Sequence, residues 1–201
     1  MKNNWGFLRE TRTKAYGKDN DTGLHRTGLE DYLAVIFKDI KEEEWIHDKA
    51  FGIHKGVKYN IRPDYRNEKL LLIIEFDGLP HYQNPDVIKK DKVNQKIYED
   101  NGYKVIRIPY FIQLTNEVVK QLFNVEVKEE LFPQDIPSMG IKGRNTPAYC
   151  CPAGLFRMAE EIKKFPQQMK VNIDALIKAN DESLTGYSML MDIIKTGKCE
   201  L

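Results

Sequence analysis

The chain has 201 residues, of which 41% are apolar and 30% charged, with a formal net charge of +1. That mixture is ordinary for a globular protein and is neither a polycation nor a chain with the roughly 18 consecutive apolar residues a membrane span needs. The three cysteines, Cys150, Cys151 and Cys199, form no CxxC pair, which excludes a disulfide framework and a cysteine-based zinc site and leaves reduced thiols as the expectation.

The N-terminal stretch, MKNNWGFLRETRTKAYG, lacks the apolar centre of a secretory signal, so the expected compartment is the cytoplasm. Residues 1–26 are polar and read as an arm or loop. A helix follows in TGLEDYLAVIFKDI, where Thr27 can cap, Glu30 occupies the capping-box position and Leu29, Leu33, Ile36, Phe37 and Ile40 recur at helical spacing. Three strand candidates come next, at 45–53, 57–65 and 69–77, joined by hairpin-length connections at HKG and RNE. The third contains the unbroken run Leu70–Ile74 and should be central in its sheet.

Pro85, Asp86 and Gly102 mark the ends of a helix over 86–101, through first-turn proline, N-terminal acid and C-terminal stop. YKVIRIPYF is a β-branched strand, and TNEVVKQLFN a helix capped by Thr115. A Pro/Gly-rich connection then leads to helices near 153–165, 167–180 and 184–196. The reading is α/β: a 27–124 core ordered αβββαβ with a mixed sheet between helices, and a helical extension over 125–201 packed on it.

The chemistry concentrates in RPDYRNEKLLLIIEFDG, residues 62–78. Glu75 and Asp77, two apart, share one face of their strand, and a bend at Pro63 would bring Asp64 beside Glu75. Converging carboxylates at the end of an apolar strand need compensation, and a hard divalent cation such as Mg²⁺ supplies it. Taken singly, Asp64 is equally readable as a turn residue and Asp77 as the start of a DG turn. His81 lies four residues beyond Asp77 and can accept a proton near neutral pH; a surface-loop histidine is the competing reading. On the helix that follows, Asp91, Asn94 and Lys90 fall on or near the packing face with Val87, Ile97 and Tyr98, while Lys89, Lys92 and Lys96 face outward. Buried polar groups need partners, and a metal site at the end of the sheet would provide some. Arg107 reads as the structural partner of a carboxylate, or as a phosphate contact. His25, Arg26, Arg62 and Arg66 are candidates for phosphate contacts in local basic patches. The helix beginning NTPAYCCPAGLFRMAEEIKKF reads as packing, with Arg157, Glu160 and Glu161 off its apolar face.

The ordered series helix Glu, RPDY, IIEFDGLPHY and DKVNQKIYEDNGYKVIRI resembles the PD-(D/E)xK superfamily of restriction-endonuclease-like nucleases, within it the branch of very-short-patch-repair endonucleases. The resemblance runs from about Gly28 to Phe111. It implies Asp64 as the metal-bridging aspartate, Glu75 and the carbonyl of Phe76 as further ligands, and Glu30 as an acidic residue brought near the metal. It also implies a Mg²⁺-dependent endonuclease, with Mn²⁺ able to substitute, that cleaves DNA, double-stranded by expectation, to a 5′-phosphate and a 3′-hydroxyl in a restriction or repair setting. A homodimer is compatible with it. Two positions depart from the superfamily pattern: Asp77 stands where the motif lysine belongs, as in relatives of this branch, and Asn94 stands where a basic residue is common, with Lys90 one turn earlier able to supply that charge. A chain of this fold that has lost activity and only binds nucleic acid is the alternative.

Overall fold

The computed structural model describes residues 29–139 and 145–197, together with the backbone of two short paired strands, β1 (Gly17–Lys18) and β2 (His25–Arg26). The rest of the 1–26 arm, the expected cap Thr27 and Cys199 lie outside the described residues, as do the side chains of His25 and Arg26.

Helix α1 spans Leu29–Ile36 and buries Leu29, Tyr32, Leu33 and Ile36. The first two strand candidates each break up. Strand β3 is only Ile46–His47, whereas β4 (Gly52–His54) and β5 (Val57–Tyr59) form a separate hairpin turning at Lys55–Gly56. Both turn residues have positive φ, 49° at Lys55 and 80° at Gly56, the combination a tight two-residue hairpin turn requires. Strand β6 (Tyr65–Asn67) runs through the RN that the sequence suggested as a loop, and the turn moves on to residues 68–71. Leu70 and Leu71, read as strand, are therefore exposed, and Leu71 takes a φ of 47°.

Strand β7 (Leu72–Asp77) is buried at every position and lies between β6 and β8 (Lys104–Pro109). The four-stranded order is β3-β6-β7-β8, antiparallel except for the parallel β7–β8 pair. The architecture is thus α/β, with a mixed central sheet flanked by helices. After the one-turn helix α2 (Pro80–Gln83), helix α3 (Pro85–Asp100) starts at Asn84, whose side chain accepts from the Asp86 amide at 2.9 Å. It crosses back over one face of the sheet, where Tyr98 joins Ile73, Phe51 and Tyr103 in a small aromatic core. The other face carries the larger core. There Ile74, Phe76, Ile106 and Ile108 pack with α1, with α4 (Asn116–Phe123) and with the C-terminal helices α5 (Pro152–Ile162), α6 (Pro166–Ala179) and α8 (Tyr187–Thr196), the last preceded by the one-turn α7 (Glu182–Thr185).

Helix α5 docks tightly on α2. The Cys151 amide donates to the Tyr82 carbonyl at 2.9 Å, and a Cβ on Gly154 would stand 1.8 Å from that same oxygen. Only glycine permits this approach. Asn172 of α6 pins the buried segment after β8, donating to the Phe111 carbonyl at 2.8 Å and accepting from the Ser138 amide at 2.8 Å. No helix among the described residues is long and apolar enough to cross a membrane.

Candidate active site

The β6–β7 register brings the two expected metal carboxylates together without any special bend. Tyr65 pairs with Ile74, so the next residues outward, Asp64 and Glu75, are neighbours across the hairpin. The Asp64 amide donates to Glu75 Oε2 at 3.1 Å, and the Phe76 amide donates to Asp64 Oδ2 at 2.7 Å. Both carboxyls are hard to ionise. Burial, less offset by the Phe76 amide, and then the charge of Asp77 push Asp64 up to about 6. Burial and the charge of Asp64 push Glu75 up to about 7. Burial, and then the adjacent Glu75 carboxylate, raise the pKa of the Tyr98 hydroxyl. Two confined carboxylates are a pair of hard oxygen donors that a divalent cation suits.

Beside this pair stands a second, charge-balanced group. Asp77 is fully buried, and both its oxygens are taken: Arg107 holds it through Nε, at 2.7 Å from Oδ2, and through Nη2, while Arg157 Nη2 holds Oδ2. Asp91 accepts from Arg157 Nη1 at 2.9 Å and lies 3.3 Å from Arg107 Nη2. His81 Nδ1 is 2.8 Å from Asp91 Oδ2 and 3.3 Å from Asp77 Oδ1. A carboxylate only accepts, so Nδ1 carries the hydrogen and Nε2 is left with its lone pair. Burial alone would lower the pKa of His81, but the hydrogen bond to Asp91 and the charges of Asp77 and Asp91 outweigh it and raise the value. Burial would raise Asp91, but His81 and Arg107 outweigh it and hold the carboxyl low.

Asp77, His81 and Asp91 each offer a ligand atom within 4.8 Å of the others, a set that could hold a metal ion. Filling it would mean detaching two guanidinium groups and the Nδ1 proton. Asp64 and Glu75 accept from backbone amides instead, so a cation at that pair would displace neither guanidinium group.

Several expected residues are placed elsewhere. Glu30 accepts from the Tyr65 hydroxyl, which anchors α1 to β6. Lys90 is exposed, contrary to its expected position on the packing face. The buried stripe of α3 centres on Ile88, Asp91 and Tyr98, and Lys90 stands about 100° round the helix from Asp91. Asn94 is half-buried. Arg66 is buried, donating from Nη1 to the Phe51 carbonyl at 2.7 Å with its guanidinium over the Phe51 ring, so it presents no surface contact. It pairs with Ile73, so its side chain lies on the sheet face that carries the Phe51–Tyr98 core. Arg62 is exposed, 3.9 Å from Asp48.

Arg157 is the residue the sequence reading missed, having been assigned to the outer side of its helix. Its side chain is only 14% exposed; Nε donates to Glu161 Oε1 at 2.8 Å, and the guanidinium lies 4.8 Å over the Tyr82 ring. The signal available was a charge count: with Asp77 and Asp91 both inward, Arg107 alone leaves one carboxylate uncompensated.

No family model, no curated protein and no solved structure matches the chain.

Proposed function

We propose that the protein is a Mg²⁺-dependent DNA endonuclease of the restriction-endonuclease-like kind, hydrolysing phosphodiester bonds to a 5′-phosphate and a 3′-hydroxyl. The observation that carries the reading is the pairing of Asp64 with Glu75 at the end of the sheet, next to a histidine whose Nδ1 is held by Asp91 and whose Nε2 is left as an acceptor. Asp64, Glu75 and the Phe76 carbonyl would hold a divalent cation, which would supply Lewis-acid polarisation of the phosphate and a more acidic water.

The chain's own groups do the rest. His81 Nε2 takes the proton as the water oxygen bonds to phosphorus and the P–O3′ bond breaks; the leaving 3′ oxygen takes a proton from a solvent water, and His81 then gives its own proton to the hydroxide left in solvent. The imidazolium so formed faces Asp91 and Asp77, which stabilise it at the moment it appears. Histidine thereby stands in for the lysine that the motif lacks. Asp77 is a charge anchor in this scheme, because its oxygens are occupied by guanidinium groups. Arg62, exposed, only loosely engaged and two residues before Asp64, is available to meet a phosphate.

The test is conversion of supercoiled plasmid to nicked and linear forms with Mg²⁺ or Mn²⁺. Cleavage should vanish with chelator and in Asp64→Ala and Glu75→Ala, each shown to be folded. A folded wild type that binds duplex DNA without cleaving it in either metal would replace this reading with a nucleic-acid-binding protein on the same fold. Cleavage that survives both substitutions would remove the carboxylate assignment altogether.

A further inference from the structure

We propose that Arg157, supplied by the C-terminal region, is a positioning residue for His81: its guanidinium fixes the carboxylate of Asp91 so that the imidazole is held in one tautomer and one orientation. The inference rests on the nuclease reading for its kinetic consequences, but not for its structural ones.

Asp91 Oδ2 receives both His81 Nδ1, at 2.8 Å, and Arg157 Nη1, at 2.9 Å. Asp91 Oδ1 lies 3.3 Å from Arg107 Nη2. The two arginines therefore hold one carboxylate oxygen each, and the carboxylate plane cannot rotate without breaking a charge-assisted bond. Because the plane is fixed, so is the direction in which His81 must point its Nδ1–H.

Arg157 also reaches the other side of the same histidine. Its Nη1 lies 3.4 Å from the His81 carbonyl, a weak contact, while Nη2 binds Asp77, the other carboxylate facing the ring. The arginine is itself well held, by Glu161 through Nε and by the face of Tyr82. A lysine could neutralise charge here but could not span Asp77 and Asp91 together, because it lacks the planar fork.

The bland alternative is that Arg157 only fastens α5 to the sheet. That role is already filled by apolar packing through Leu155, Met158, Ala159 and Ile162, all buried, and by the glycine contact at Gly154. What the guanidinium adds is its reach to both carboxylates around His81, which a docking contact does not need.

The structure also offers a means of separating the two roles. A cavity of about 540 Å³ between α3 and α5 is lined by Ile88, Asp91, Arg107, Phe156 and Arg157, among others. In Arg157→Ala it would connect with the space left by the side chain, giving a small planar cation a route to Asp91 and Asp77.

The experiment compares wild type, Arg157→Ala and Arg157→Lys in full-length protein. The imidazole ¹⁵N shifts of His81 are read by NMR and plasmid cleavage is followed in parallel. Wild type should show a single Nδ1-protonated tautomer at pH values where the ring is neutral, and both variants a mixture. Cleavage should fall about 10²-fold in kcat in Arg157→Ala, the scale expected of a misplaced catalytic group, with KM for DNA little changed. Methylguanidinium should recover at least 10-fold of that loss, and methylammonium should not. An unchanged His81 tautomer in folded variants would overturn the proposal, as would a rate loss that merely tracks the unfolded fraction. If wild type cleaves no DNA, the nuclease reading fails on its own, and the ¹⁵N shifts still decide whether Arg157 sets the histidine.

Discussion

Asp64 and Glu75 face each other across the β6–β7 hairpin, the amide of one donating to the carboxylate of the other at 3.1 Å. Two acids so placed repel, and their pKa values of about 6 and about 7 are raised above the ordinary carboxylate range near 4. The folded protein holds these protons more tightly than the unfolded chain does. The stability they contribute is thus complete below about pH 4 and is lost as pH rises through 6 and 7. Metal-free protein should be less stable at pH 8 than at pH 5 by an amount on the order of a few kcal/mol. Mg²⁺ should raise the melting temperature far more at pH 8 than at pH 5. Equal shifts at the two pH values would place the cation elsewhere.

Substituting one of the pair by its amide should separate stability from activity. Glu75→Gln removes a charge that the fold does not favour, and the metal-free variant should melt higher than wild type at pH 8, by up to about 3 kcal/mol in free energy. Cleavage should drop by about 10³-fold or more, the scale of removing a transition-state charge stabiliser. Denaturant melts in chelator and a plasmid assay in Mg²⁺ measure the two effects on one sample. A variant both less stable and still active would contradict the assignment.

The raised pKa of His81 sets the expected pH–rate profile. The imidazole must be neutral to accept a proton, so the acid limb of kcat should fall above the unperturbed histidine value of about 6.5. His81→Ala should lose about 10²–10⁴-fold in kcat and flatten that limb. A limb unchanged in the alanine variant would assign the titration to another group.

Arg62 and Arg66, four residues apart, should behave as opposites. Arg66 is buried beneath Phe51, and Arg66→Ala should cost about 1–3 kcal/mol of stability by leaving the Phe51 carbonyl without its donor. Arg62 is exposed. Arg62→Ala should leave the melt within about 0.5 kcal/mol and lower the salt dependence of DNA binding by about one phosphate contact. Fluorescence titrations at several salt concentrations, run beside thermal melts, distinguish the two. An Arg66→Ala protein of full stability and weak DNA binding would reverse their roles.

Gly154→Ala probes the docking of α5. Its methyl group would meet the Tyr82 carbonyl at 1.8 Å, so the helix must shift. The expected cost is about 1–3 kcal/mol, accompanied by loss of cleavage in the fraction that remains folded, since Arg157 moves with the helix. Retained activity in a destabilised Gly154→Ala protein would show that the arginine keeps its place without the close contact.

The parts of this arrangement that could be read from sequence are those written locally. Pro85, Asp86 and Gly102 bracket α3 to within a residue at each end, because helix termini are set by short-range chemistry. The aliphatic run 72–74 announces a central strand, and the acids that follow it announce a site. The hairpin β4–β5 and the late turn at 68–71 were less legible, since strand breaks in a polar stretch depend on which register buries most. Lys90 is exposed although it adjoins the buried Asp91, because one step along a helix turns a side chain by about 100°. Arg157 was beyond local reading, because its carboxylate partners lie 66 and 80 residues away in the chain and an arginine flanked by acids on a helix looks like solvent-facing surface.

That long reach also bears on the order in which the molecule is made. Residues 64–91, which carry Asp64, Glu75, Asp77 and Asp91, emerge from the ribosome well before α5 does. The sheet's parallel β7–β8 pair can close once residue 109 is available, yet Asp77 and Asp91 still lack their second guanidinium at that stage. A nascent chain therefore passes through an interval in which the acids are assembled but the arginine that locks them is untranslated. The full set of contacts around Asp77 and Asp91 can form only when synthesis has passed residue 157.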